Sequence, residues 1–570
     1  MILLPRPRRL TLAAGTWAID GGAVDERLAA SSGLRAEGYR LTVAPAGVLI
    51  EASDPAGAFY ARATLAQLVR LHHEDGRVPA LTIDDWPDFA ERGVMLDVSR
   101  DKVPTMETLY ALVDALASWK INRLQLYMEH TFAYRGHPEV WKDASPLTGE
   151  EVEALDAYCR ERFIELVPNQ NSFGHMERWL RLPRYAPLAE VAQPEGDYMS
   201  LCPIDPGSVE LLAGLYDELL PHFASRTFNV GCDETIDLGK GRSADAVARD
   251  GVGRVYLAFL EKIHALVTGR GHRMQFWGDI VLQHPELIGE LPRPIEALNW
   301  GYEADHPFAD EGAKFAAAGI GYQVCPGTST WLSLGGRTAN ALGNLESAAR
   351  NGLAHGAKGI LITDWGDHGH WQPLPVSFLP LAYGAAVAWC HEANRDLDVA
   401  RAVDPHVFRD AAGVLGGLAR DLGNVYAETG ALAKNASVLA LLLLFPARSM
   451  KEGRFAKITA EGLERAEATI DALASKLSAA RPDRGDAGLI LSEFALAADL
   501  MRHACRFGRA RLAAPENRAE GIDAAERGAL GREIERIVAE YRRIWRRRNR
   551  EGGLRESAGR LEALGRLYSA

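Results

Sequence analysis

Two adjacent carboxylates, Asp233 and Glu234, close an apolar, strand-like run, Thr227-Phe-Asn-Val-Gly-Cys-Asp-Glu234. Charges at the edge of a low-dielectric core need partners, or their pKa values move. A pair placed there is a candidate general acid and base. The same two residues also suit a helix start, with Asp as N-cap and Glu in the first turn. The rest of the chain separates these readings.

Polar and aromatic residues recur at the ends of similar runs. Arg92 opens the first run and Asp97-Val-Ser-Arg100 ends it. The second ends Glu129-His130, and the third ends Asn169-Gln-Asn171 and continues to Gly174-His175. Later ends carry Trp277-Gly-Asp279, Asn299-Trp300, Trp331 and Asp364-Trp-Gly-Asp367. Tryptophans sharing one rim with acids suit a sugar pocket, because apolar ring faces stack on aromatics while carboxylates and arginine hold hydroxyls. Acids outnumber bases at this rim, which disfavours phosphate. His130, His175, Asp233, Asp279 and Asp367 could in principle hold a cation. Strand one lacks a His-x-His pair, however, and the other histidines are scattered, so no metal or cofactor is expected. Cys232 is a poor nucleophile, since the acids beside it raise a thiol pKa.

The elements that must position these residues alternate regularly. Strand-like runs lie at Arg92–Val98, Arg123–His130, Ile164–Asn171, Thr227–Glu234, Arg273–Asp279, Ile295–Trp300, Gly321–Gly327 and Gly359–Trp365. Helical spacing separates most of them, as at Thr105–Trp119, Glu150–Phe163, Val209–Phe223 and Val252–Thr268. Eight strands alternating with helices predict an α/β fold, a (β/α)8 TIM barrel over residues 89–395. Function then belongs at the C-terminal strand ends. No glycine-rich phosphate loop follows the first strand, which counts against a doubly wound sheet. Residues 1–88 read as a small α+β domain, with strands at Tyr39–Val43, Gly47–Glu51 and Ala80–Asp84. Residues 396–570 read as a helical C-terminal region that could buttress the barrel, cap the pocket or form a homodimer.

Composition narrows the partners. The 570 residues are 47% hydrophobic and carry a net charge of -12, so a general nucleic-acid role is disfavoured. The basic stretch Tyr541–Arg550 reads as the solvated face of a terminal helix. Val438–Phe445 is too short to cross a membrane. The first ten residues do not have the pattern of a secretory signal. Six scattered cysteines without a CxxC spacing suggest free thiols in a reducing, cytoplasmic setting.

Five stretches carry a family resemblance: Arg92-Gly-Val-Met-Leu-Asp-Val-Ser-Arg100, Pro168-Asn-Gln-Asn-Ser-Phe-Gly-His175, Asn229-Val-Gly-Cys-Asp-Glu234, Trp277-Gly-Asp-Ile280 and Trp365-Gly-Asp367. Through them the chain resembles family 20 glycoside hydrolases, the β-N-acetylhexosaminidases. Leu126–Tyr134 and Cys325–Trp331 resemble the divergent branch that includes bacterial glycosphingolipid hexosaminidases. The resemblance implies exo-cleavage of terminal β-linked GlcNAc or GalNAc with retention, the substrate's own acetamido oxygen being the nucleophile. It implies Glu234 as acid and base and Asp233 as the orienter of the acetamido group. Arg92, Trp277, Trp300, Trp365 and Asp367 would hold the sugar. Two other readings stay open: a barrel that binds glycans without cleaving them, and a glycosidase using Asp279 or Asp367 as direct nucleophile.

The chain departs from the family pattern at three places. Asn229 and Asn171 stand where the family has a His and an Asp behind the general acid, and a hydrogen bond between the two amides would replace that pair. His175 is then the nearest ionisable neighbour expected for Glu234. Trp331 stands where the family has an acetamido-binding Tyr, and Tyr302 could supply the missing hydroxyl. Asp367 stands where the family has Glu.

Overall fold

A computed structural model describes residues 1–569 apart from 21, 29–32 and 193–198. The first layer is a sheet of β1 (Arg9–Ala18), β2 (Ala23–Leu28), β3 (Tyr39–Ala44), β4 (Gly47–Ala52) and β5 (Arg77–Asp85), in the order β1-β5-β3-β4-β2. β3 and β4 alternate between more and less buried residues, the period a strand imposes. β1 and β2 are exposed along almost their whole length. They show no such alternation, so the sequence reading misses them. The helix Pro55–Leu71 starts where the Asp54 side chain accepts from Gly57 N.

Eight strands follow: β6 (Glu91–Asp97), β7 (Arg123–Tyr127), β8 (Glu165–Val167), β9 (Thr227–Asn229), β10 (Arg273–Trp277), β11 (Ile295–Trp300), β12 (Gly321–Cys325) and β13 (Gly359–Asp364). Their order is β8-β7-β6-β13-β12-β11-β10-β9, all pairs parallel. β8 and β9 meet through one parallel bridge, Asn169 to Asn229, which closes the (β/α)8 barrel. Every strand lies where the alternation places it, but several stop early. β8 ends at Val167, ahead of Pro168, which has no N–H to continue a ladder. β9 ends at Asn229, not Glu234.

The barrel interior is polar. Gln125 Nε2 donates to Gln275 Oε1 (3.0 Å), and the side-chain amides of Gln275 and Gln323 both donate to Glu296 Oε1 (2.5 and 2.8 Å). β7 and β10 are not neighbours in the sheet, so the first of these bonds runs across the interior. Burial is tolerated because each amide finds a partner.

The helix Leu374–Trp389 is buried from Pro375 onward, which matches a sequence apolar all round. It contacts β6 and β13 on one side and the helices Val399–Val403, Leu415–Leu422 and Ala487–Ala513 on the other. Barrel and C-terminal region therefore share one continuous apolar core. Three more long helices, Ala460–Ser475, Ala524–Arg548 and Leu554–Ser569, complete that region.

The basic stretch is only partly a solvated face: Arg543, Arg546 and Arg547 are exposed, while Tyr541, Ile544, Trp545 and Arg548 are buried. Most of its arginines are answered by acids: Arg542 by Glu562, Arg543 by Glu540, Arg546 by Glu551 and Arg550 by Glu151. Arg548 is buried, with Nε and Nη2 each 2.8 Å from a Glu493 oxygen. The chain beyond it docks on the barrel. Arg550 N donates to Val103 O (2.8 Å), Gly552 N to Ser145 Oγ (3.0 Å), and Ser557 O accepts from Trp371 Nε1 (3.1 Å). Arg548→Ala leaves Glu493 buried without its partner and should cost about 3–5 kcal/mol. Urea unfolding reads this as a lower midpoint, and an unchanged midpoint refutes the tie.

Candidate active site

Asn229 N donates to Pro168 O (3.0 Å), and Asn229 O accepts from Gln170 N (3.0 Å). Beyond this anchor the chain turns sharply. Gly231, Cys232 and Glu234 have positive φ values of 69°, 75° and 47°. Glycine is needed at 231, because a Cβ would lie 1.8 Å from Asn171 Oδ1. A straight strand would send Asp233 and Glu234 to opposite faces. The left-handed steps bring both into one cavity, and no helix starts there, so neither residue is an N-cap. Three bonds hold the turn. Gly231 O accepts from Trp277 N (2.9 Å), Cys232 O from Tyr256 Oη (2.9 Å), and Glu234 N donates to Asp279 Oδ2 (3.2 Å).

The cavity has a volume of about 700 Å3 and lies at the C-terminal ends of the strands. Asp233, Glu234, His175 and Asp367 line it, together with Trp277, Trp300, Tyr302, Trp331 and Trp365. The rings form one cluster. Trp277 and Trp365 lie 6.0 Å apart, Trp300 stacks on Tyr302 at 5.2 Å, and Tyr302 meets Trp331 edge-on at 5.0 Å. Trp365 Nε1 donates to Tyr302 Oη (2.8 Å), and the Thr363 side chain also meets that hydroxyl.

His175 Nε2 lies 3.4 Å from Asp233 Oδ2 and 3.4 Å from Glu234 Oε2. Burial opposes an imidazolium here, but the Asp233 charge and hydrogen bonds to both carboxylates outweigh it and raise the pKa well above its ordinary value. Burial, reinforced by the Asp233 charge, pushes Asp279 up to about 8. Burial also lifts Asp367 to about 6, against the pull of Arg100. Two groups bring possible cation donors within 4.8 Å of one another: His175 with Asp233 and Glu234, and His175 with Glu129 and Glu177. His175 belongs to both, and the Arg100 guanidinium lies 3.5 Å from its other ring nitrogen.

Two expectations need correction. Arg92 is not in the cavity. It opens β6 at the opposite end of the barrel, fully buried, and binds Lys120 O (2.8 Å), Phe89 O (2.8 Å) and Glu37 Oε2 (2.7 Å). There it ties the small domain to the barrel floor, because a strand's length separates its Cα from the rim. The arginine of this motif that lines the cavity is Arg100, at its other end. Its guanidinium lies 3.1 Å from Glu129 Oε1 and 3.3 Å from Asp97 Oδ2, with its centre 5.4 Å from the Trp365 ring. The expected bond between Asn171 and Asn229 does not form either. Asn229 Nδ2 donates to Gln125 Oε1 (2.9 Å), while Asn171 Nδ2 donates to Tyr127 Oη.

Sequence reasoning also misses part of the lining. Glu177 stands two residues past His175, and that spacing is a usable signal. Gly553, Arg555, Glu556 and Arg560 reach the cavity from the C-terminal region. No local pattern could place them there.

Two family descriptions match the chain: "Glycosyl hydrolase family 20, catalytic domain" over residues 89–340, and "Glycosyl hydrolase family 20, domain 2" over residues 3–86. Together they take in more than half of the sequence. The chain is similar to a Beta-hexosaminidase of Akkermansia muciniphila, 29% identical over 288 residues, which is 44% of this chain and 58% of that protein. It is also similar to Hexosaminidase D of Bos taurus, 25% identical over 332 residues, 54% of this chain and 92% of that protein. The chain spans about half the length of the first curated relatives it matches. In fold it is similar to a solved beta-N-acetylhexosaminidase, with TM-score 0.59 and 21% identity over 71% of this chain and 96% of that one.

The clasp around His175 makes a pH prediction. A histidine pKa raised on folding adds stability that is full below its unfolded value, near 6.5, and lost as pH rises through the folded value. Histidine NMR should find His175 still protonated at neutral pH, with its midpoint lowered in Glu234→Gln. A midpoint at or below 6.5 in the unaltered protein refutes the clasp.

Proposed function

The chain belongs to glycosyl hydrolase family 20, and from that premise we propose that it is an exo-acting, retaining β-N-acetylhexosaminidase for terminal β-linked GlcNAc or GalNAc. The observation that carries this reading is the meeting of Asp233 Oδ2 and Glu234 Oε2 at the single nitrogen His175 Nε2, beside an aromatic wall.

Glu234 is the more accessible of the pair and gives its proton to the glycosidic oxygen as the C1–O bond breaks. The acetamido oxygen bonds to C1 from the other face, forming an oxazolinium ion. Asp233 accepts the acetamido N–H and offsets its growing positive charge. One Asp233 oxygen is buried without a partner and suits that bond. Tyr302 Oη keeps its proton and donates a hydrogen bond to the acetamido oxygen, in place of the family tyrosine, a position that Trp331 fills. Glu234 then takes a proton from water, which attacks C1 and releases the acetamide.

Arg100 and Asp367 hold outer hydroxyls, while Trp277, Trp300 and Trp365 pack on the ring. Asp279 is a weak candidate for direct nucleophile, because burial keeps it protonated up to about pH 8 and its Oδ2 is engaged by Glu234 N. Six buried, unpaired thiols support a cytoplasmic enzyme, which cell fractionation checks.

Aryl β-GlcNAc or β-GalNAc should be turned over at some pH between about 4 and 8. No turnover of either refutes the reading. Glu234→Gln should slow unactivated substrates by about 10²–10⁴-fold. Asp233→Asn and Tyr302→Phe should each lower kcat by about 10²-fold or more, since both act on charge formed at the acetamido group. A loss confined to KM would count against those two roles.

A further inference from the structure

The cavity continues outward past the sugar pocket, between the loop after β6, the segment 175–182 and the start of the helix Leu554–Ser569. Its chemistry changes there. The inner half carries the Trp and Tyr rings, whereas no Trp, Tyr or Phe lines the outer half among the described residues. The outer walls carry Arg178, Arg181, Arg555 and Arg560 facing Asp101, Glu139, Asp143 and Glu556.

Several of these charges are already answered. Arg178 pairs with Asp101 (2.8 Å), Arg555 with Glu556 (2.9 Å), and Glu139 with Arg184 outside the cavity (2.9 Å). Arg560 differs. Among the described residues it has no hydrogen bond or ion pair, and it is exposed. Its charge acts on Asp101 only through space, and Asp101 already has Arg178 as its partner. It lies across Gly369, with Nε 3.2 Å from where a Cβ there would stand. This places an uncommitted guanidinium beside the loop that holds Asp367.

We propose that the outer half is an aglycone subsite for a sugar bearing a carboxylate or sulfate, held by Arg560 with Arg555 beside it. This rests on the glycosidase reading of the inner pocket. A guanidinium offers two parallel N–H groups that match such an oxyanion. A neutral, chitin-like aglycone would gain from a ring face to stack on, and the described outer walls provide none. The C-terminal region is then a substrate-contacting part of the enzyme.

The test compares kcat/KM for GlcNAc β-linked to glucose, to glucuronate and to glucose 6-sulfate. At least one acidic substrate should exceed the neutral one by about three- to tenfold at low salt. The two acidic arms tell carboxylate from sulfate. The acidic-to-neutral ratio should fall toward one in Arg560→Ala, survive in part in Arg560→Lys, and shrink as salt rises. A ratio near one in the unaltered protein overturns the proposal, and so does a ratio unchanged in Arg560→Ala. Calorimetry on Glu234→Gln with the same disaccharides reads the same ratio without turnover. Failure to cleave aryl glycosides would refute the glycosidase reading, while the binding ratio would still decide the subsite independently.

Discussion

The cavity depends on a reversal of backbone direction just past β9. Gly231, Cys232 and Glu234 adopt left-handed conformations, and two of them are not glycine. Each such residue costs about 1 kcal/mol or more and persists only where its surroundings over-determine it. The bonds from Trp277 N and Tyr256 Oη, and the one to Asp279, supply that determination. His175 then balances the two carboxylates that the turn forces together. Removing the reversal would leave the strand intact and send one carboxylate into the barrel wall.

The same logic explains the tight integration of the C-terminal region. The helix Leu374–Trp389 is apolar on all sides and needs cover on all sides. The barrel covers one side and the later helices cover the other. Once that packing is fixed, the chain leaving Arg548 runs over the loops after β6 and β7 and reaches the cavity mouth. A residue at position 560 thereby becomes a neighbour of position 369.

How much of this is legible in the sequence follows the range of the interactions. The eight barrel strands are locally patterned, and all can be read, though their ends cannot. The residues past Val167 and Asn229 are as buried as the strands, so hydrophobicity alone does not mark where pairing stops. Strands β1 and β2 are nearly all exposed and carry no period to detect. Arg92 and Arg100 sit in one motif and are chemically alike. Only the strand direction shows that one faces the floor and the other the rim. Pairing of the Asn171 and Asn229 amides is the natural expectation, because they replace a pair. Instead Gln125 and Tyr127, distant in sequence, offer nearer partners. The lining from residues 553–560 depends on the packing of the whole C-terminal region and has no local signature.

The polar barrel closes through a single bridge, Asn169 to Asn229. A cylinder under thermal strain yields first at its thinnest join. Here that join is also the root of the turn that carries Asp233 and Glu234. The seam and the turn that carries the two carboxylates therefore share Asn229.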